Sequence, residues 1–114
     1  MAELLHVTEP SEWAEARRAG SYDRSTRGLS LGEVGFVHCS WPDQVERVAA
    51  RVYADHDGEL VVLRIDPEQL GVEVVEEDPE GSGERFPHVY GPIPVDAVVA
   101  VEPLTRVDGA WRRT

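Results

Sequence analysis

The chain has 114 residues, 22 acids against 11 bases, a net charge of −11 and a single cysteine, Cys39. That length fits one domain, residues 1–114, with enough interior to stand without staples, and one cysteine excludes both a disulfide framework and a four-cysteine zinc site. Every basic residue is an arginine, which excludes lysine chemistry, and acidity on this scale opposes nucleic acid and anionic membrane surfaces.

The apolar runs are strand-sized, too short to span a membrane. The first residues lack the basic and apolar regions of a signal peptide, so a cytoplasmic protein is expected. Residues 4–7 predict a first strand carrying His6. Pro10 with acids around it marks a helix start, Trp13 faces the core, and Gly20 marks the stop. Residues 22–28 are polar and turn-rich, and predict a short strand entering an exposed loop with Arg24 and Arg27. Residues 30–33 predict one helical turn. Residues 35–40, Gly-Phe-Val-His-Cys-Ser, predict a strand whose alternation sets Phe36, His38 and Ser40 against Val37 and Cys39.

A second helix is predicted over 42–53, opened by Pro42 and patterned by Val45, Val48, Ala49 and Val52. Its N-terminus, following Ser40, is expected to cradle an anion. Residues 60–65 are almost continuously apolar and predict a central strand. A helical turn at 66–71 and a strand at 72–76 follow. Residues 66–84 hold eight acids and no base, which reads as a solvated edge. Three prolines in 84–94 predict an edge strand or rigid loop, with Phe86, His88 and Tyr90 on one side. Residues 97–102 predict a last strong strand, Asp108-Gly109 a hairpin turn, and Trp111 a short closing strand. The order reads as an α+β fold: a small single domain with a largely antiparallel sheet and two short-to-medium helices.

Three of the four histidines, His6, His38 and His88, therefore sit in short apolar strands, and we expect them to converge on one pocket. No His-x-x-x-His or His-x-His pair supports a metal site, so a His-ligated metal enzyme is only an alternative. Cys39 points away from His38, into apolar surroundings that suit an inert thiol. Ser40 lacks the Gly-x-Ser-x-Gly elbow of a serine hydrolase. What remains is a pocket with His6, His38 and His88 as acid–base or hydrogen-bonding groups. Ser40, Tyr90, Tyr22, Arg24 and Arg27 are the expected ligand contacts. The other alternative is a non-catalytic interaction module that uses the acidic 66–84 segment.

The pattern is also familiar. His6 after two leucines, Trp13, Gly20-x-Tyr22, Ser30-Leu31, the 35–40 stretch, Gln44, Leu63-x-Ile65-Asp66 and Phe86-Pro87-His88-Val89-Tyr90-Gly91-Pro92-Ile93 together resemble domain-of-unknown-function family 952, a group of small bacterial proteins. That family is distantly similar to the ADP-ribosyltransferase fold. The resemblance implies a bent, split β core that takes NAD or an ADP-ribose-like ligand. His6 would occupy the first-strand position that contacts the nicotinamide ribose. Many members of that fold carry a glutamate on a late strand; here Glu84 precedes Phe-Pro-His, and His88 or Tyr90 takes the pocket-facing positions instead. The function implied is binding of a nucleotide-like or other small anionic ligand, with transferase chemistry as its extension.

Overall fold

The computed structural model describes residues 3–113. In chain order the elements are β1 (Leu4–Thr8), α1 (Pro10–Ala19), β2 (Ser21–Tyr22), β3 (Arg24–Thr26), β4 (Leu29–Ser30), α2 (Leu31–Val34), β5 (Val37–His38), α3 (Val45–Val52), β6 (Leu60–Ile65), β7 (Val74–Glu77), β8 (Phe86–Val89), β9 (Ile93–Pro94), β10 (Val98–Val107) and β11 (Ala110–Arg113). Single 3-10 turns occupy Pro67–Gln69 and Val95–Ala97. The architecture is α+β, and every strand pairing is antiparallel.

The main sheet runs β1-β6-β10-β11. β6 is central because its run of Leu60, Val62, Leu63 and Ile65 is buried against both neighbours. α3 lies over one face, where Val45, Ala49 and Tyr53 meet Leu5, Val62 and Trp111. A second core gathers Leu4, Val37, Cys39, Leu63, Val89 and Ile93 on the other side. Complete burial of each such aliphatic side chain is worth roughly 1.5–3 kcal/mol. The hairpin between β10 and β11 turns at Asp108 and Gly109, both with positive φ (52° and 81°), as the Asp-Gly pair predicts.

A three-stranded sheet, β5-β8-β7, carries His38 and His88. It joins the main sheet through a bridge in which Leu5 and Ser40 exchange backbone bonds of 2.7 and 2.8 Å. Here the structure corrects the edge assignment of residues 84–94. β8 is the middle strand of this sheet despite Pro87. The proline is tolerated because paired β5 ends at His38, next to the position of the missing donor, while Pro87 still accepts from the Cys39 N–H at 3.0 Å.

Three further expectations change. Residues 22–28 are not an exposed loop: β3 and β4 form a hairpin packed on β5, and Ser25 is wholly buried. The second long helix begins at Val45, not Pro42; residues 42–44 form a turn in which the Gln44 side chain accepts from the Trp41 N–H at 2.9 Å. The turn predicted at 30–33 is α2, a third helix, held by a capping box between Ser30 and Glu33. Among the described residues no helix is long and apolar enough to cross a membrane.

Candidate functional site

The site begins with a strand register. β5 and β8 pair His38 directly with His88, so two imidazoles share one face of the sheet. Their rings meet edge to face, with His38 Nδ1 3.2 Å from His88 Nε2. On the other flank β7 sets Val75 opposite His88 and Glu77 two residues further along the same face. Glu77 Oε1 lies 2.8 Å from His88 Nδ1 and accepts from the Tyr90 hydroxyl at 2.5 Å. Phe36 stacks flat on His88, centroids 3.9 Å apart and planes 13° from parallel. Phe86 leans on His38 at 5.2 Å.

The direction of this chain follows from chemistry. Bonds from Tyr90 and His88 hold the Glu77 carboxyl below its ordinary range, so it is ionised near neutrality and only accepts. His88 therefore carries its proton on Nδ1. In its neutral form His88 presents a bare Nε2, which accepts from His38 Nδ1–H. The remaining nitrogen, His38 Nε2, is then a lone pair. Burial, reinforced by the neighbouring His88, His6 and Arg51, pushes His38 down to about 4, so the ring is neutral above that range. Carboxylate, orienting histidine and terminal histidine make a relay with the logic of a catalytic triad.

His38 lines a cavity of about 270 Å³. Its walls are Phe36, Phe86, Leu29, Val34 and Val52, with His88 and Ser25 also on the lining. At its edge Arg51 lies 4.0 Å from Glu80. Phe36 and His88 also border a wider, more open cleft of about 480 Å³ lined by Glu76, Glu77, Asp78, Arg85 and Tyr90.

Of the residues expected to converge, His38 and His88 meet and Tyr90 joins them through Glu77. His6 stands behind the site. It is buried, lines neither cleft, bonds the His38 carbonyl through Nδ1 at 2.6 Å, and has Nε2 2.8 Å from the Tyr22 hydroxyl. Desolvation pushes it down to about 4, against the opposing pull of the His38 carbonyl. Tyr22 is buried with it and bonds Thr8 at 2.8 Å, so it supports the core and lines neither cleft. Ser40 is buried in the bridge to Leu5, away from both linings.

The expected arginine rim is also displaced. Arg24 pairs with Glu12 at 3.4 Å, and Arg27 pairs with Asp55 at 2.6 Å while lying over Tyr53. The start of α3, expected to cradle an anion, has no side-chain cap, but its residues line neither cleft; Gln44, just before it, donates to Glu84 at 3.1 Å and to the Arg85 carbonyl at 2.8 Å. Glu84 is held by Arg47 at 2.7 Å, so the carboxylate that serves the histidines is Glu77.

Glu77 and Ser25 were not among the expected site residues. The signal for Glu77 was its place two residues after Val75 in an alternating strand, one position beyond the predicted end. Ser25 carried no signal in a stretch that read as a polar loop. Other acids of 66–84 bond within the chain: Glu76 accepts from Trp41, Asp78 from the Ser82 and Gly83 N–H groups, and Glu80 faces Arg51.

No group of three His, Cys, Asp or Glu among the described residues is placed to hold a metal ion. In the relay, His38 Nδ1 and His88 Nε2 point at each other rather than at a shared centre. The NAD implied by the resemblance carries a pyrophosphate. The two clefts set Arg51 and Arg85 against Glu76, Glu77, Asp78 and Glu80, and that charge pattern does not fit it.

Comparison with known proteins places the fold. The family described as "Protein of unknown function (DUF952)" matches residues 7–101. The crystal structure of protein CC0527 from Caulobacter crescentus is 29% identical, with a TM-score of 0.81 over 96% of this chain and 93% of that one. Its solution NMR structure gives 26% identity and a TM-score of 0.68 over 97% and 91%. No curated protein matches the chain. These names state no activity or ligand, so the transferase resemblance gains no support from them.

Proposed function

We propose, from the premise that the chain belongs to the DUF952 family, that it binds a small, mainly apolar molecule in the His38 cavity and accepts a proton or hydrogen bond from it at His38 Nε2. The observation that carries this reading is the continuous relay from Glu77 through His88 to His38, at 2.8 and 3.2 Å. A lone buried histidine needs only satisfied bonds. Here the bonds are ordered so that one nitrogen is left as an acceptor on a residue that lines a cavity.

The cavity's size and charge narrow the ligand. About 270 Å³ admits a compact molecule, not a dinucleotide. Aromatic and aliphatic walls favour an apolar body. Arg51 is the cation on the lining, and Glu80 and Asp78 there weaken its attraction for an anionic group. The nucleotide-like anion expected from the sequence is thus replaced by a neutral or weakly polar ligand. A histidine held near 4 is a ready but weak base near neutrality, suited to donors that already bear an acidic proton.

The test is nitrogen-detected NMR on histidine-labelled protein at neutral pH, followed by titration with a panel of small neutral heterocycles. The expected result is a neutral His38 with its proton on Nδ1, and ligand-induced shifts centred on His38 and Phe86. A His38 protonated at Nε2, or shifts confined to other surfaces, would overturn the proposal.

A further inference from the structure

We infer that Ser25 and His38 form a matched donor–acceptor pair that selects a neutral ligand with an N–H beside a carbonyl, the edge presented by a lactam or cyclic imide. The inference rests on the reading of His38 as an acceptor and deepens it. Ser25 is wholly buried, and its Oγ has no hydrogen-bond partner among the described residues. Native proteins rarely leave such a hydroxyl orphaned; Ser25 is on the cavity lining yet its Oγ is closed to solvent in this conformation, so a partner from the cavity reaches it as the lining shifts by a small amount.

The placement makes the pair specific. β3 packs against β5, so Ser25 and His38 line the same cavity. Their needs are opposite: the serine O–H needs an acceptor, and His38 Nε2 needs a donor. One planar molecule that offers both on adjacent atoms meets them together. Phe36 and Phe86 supply aromatic surface for its body, and Asp78 beside the Arg51–Glu80 pair leaves the lining with a net acid, which disfavours an anionic ligand. A site built around two such polar groups rejects analogues that lack either one, because the unmatched group stays buried and unpaired.

The probe is 2-pyridone, titrated into the full chain while the His38 ring nitrogens and the Ser25 amide are followed by NMR. Saturable binding is expected, with the largest ring shift at His38 Nε2. S25A weakens it about 3- to 10-fold, the loss of one neutral hydrogen bond. N-methyl-2-pyridone, which keeps the carbonyl but has no N–H, leaves the His38 Nε2 resonance in place. S25C, near in size with a weaker donor, gives an intermediate affinity and controls for packing.

Unchanged or tighter binding to S25A overturns the inference and means that Ser25 is satisfied by a trapped water instead. Absence of saturable binding to the unsubstituted chain overturns it as well. The His38 tautomer in the ligand-free chain separates the two readings. If Nε2 is bare and S25A still binds normally, only the pairing with Ser25 falls.

Discussion

The Nδ1–H of His6 donates to the carbonyl of His38 across 2.6 Å, so one histidine fixes the backbone that carries another. This bond lies in the core, behind the cavity. His6 also reaches the Tyr22 hydroxyl, which bonds Thr8, and Thr8 donates to Glu12 at 3.0 Å. The first strand is thereby tied to the first helix and to β5 by side chains as well as by packing. His6→Ala would leave the His38 carbonyl without this bond and open a void beside Tyr22. The expected loss is about 2–4 kcal/mol, read from the denaturant midpoint at constant slope. A loss under about 0.5 kcal/mol, the level of a surface substitution, would show that the bond contributes little.

His6 and His38 also set a pH dependence. Both are pushed from 6.5 down to about 4 in the folded chain. The unfolded chain therefore binds protons that the folded chain refuses, and stability falls as pH drops from about 6.5 toward 4. For the wholly buried His6 the loss is on the order of 3 kcal/mol. Glu33, Glu77 and Glu84, held below 4.5, and Asp55 and Asp78, held below 3.8, add their losses mainly at the acid end of that window. Chemical denaturation between pH 7 and 5 isolates the histidine part. A flat profile there would mean that the imidazoles are not desolvated.

Ser25→Ala should stabilise the ligand-free protein. The substitution removes a hydroxyl that is buried without a partner and leaves the backbone pairing of β3 and β4 in place. The expected gain is about 1 kcal/mol, a rise of about 4–8 °C in Tm for a domain of this size. A fall in Tm would show that the hydroxyl holds a structural bond, such as one to an ordered water.

Much of this architecture was legible in the sequence because it is written in local signals. Pro10 and Gly20 bracket α1, and Asp108-Gly109 turns the last hairpin. The unbroken run of β6 announced a central strand. Alternation around His38 and His88 put both on pocket-facing sides, and the register joined them. What was not legible depended on long-range pairing. His6 has the same local look as His38, and only the route of β1 decides that its ring meets Tyr22 rather than the cavity. Ser25 became buried because a polar hairpin folds over β5, a fact of topology that composition does not carry. Glu77 was one acid among eight until β7 was aligned with β8.

The sharpest prediction concerns the direction of the relay. Glu77 fixes it because an ionised carboxylate can only accept, which keeps the His88 proton on Nδ1. Glu77→Gln keeps the size but adds an N–H donor. Tyr90 and His88 share one Glu77 oxygen, Oε1, so an amide with its N–H₂ in that place donates to both while the exposed Tyr90 O–H turns to solvent. His88 then takes its proton on Nε2 and donates to His38 Nδ1, so the His38 proton moves to Nε2. The variant should fold with a stability change of about 1 kcal/mol, the net worth of one hydrogen bond, yet lose the acceptor on the cavity lining. Histidine nitrogen shifts at neutral pH should exchange between the two rings, and a ligand that donates to His38 should bind about 10-fold more weakly, or about 1.4 kcal/mol. If the variant kept the proton on His38 Nδ1 and bound such a ligand as before, Glu77 would not set the relay, and the geometric case for His38 as the working base would fall with it.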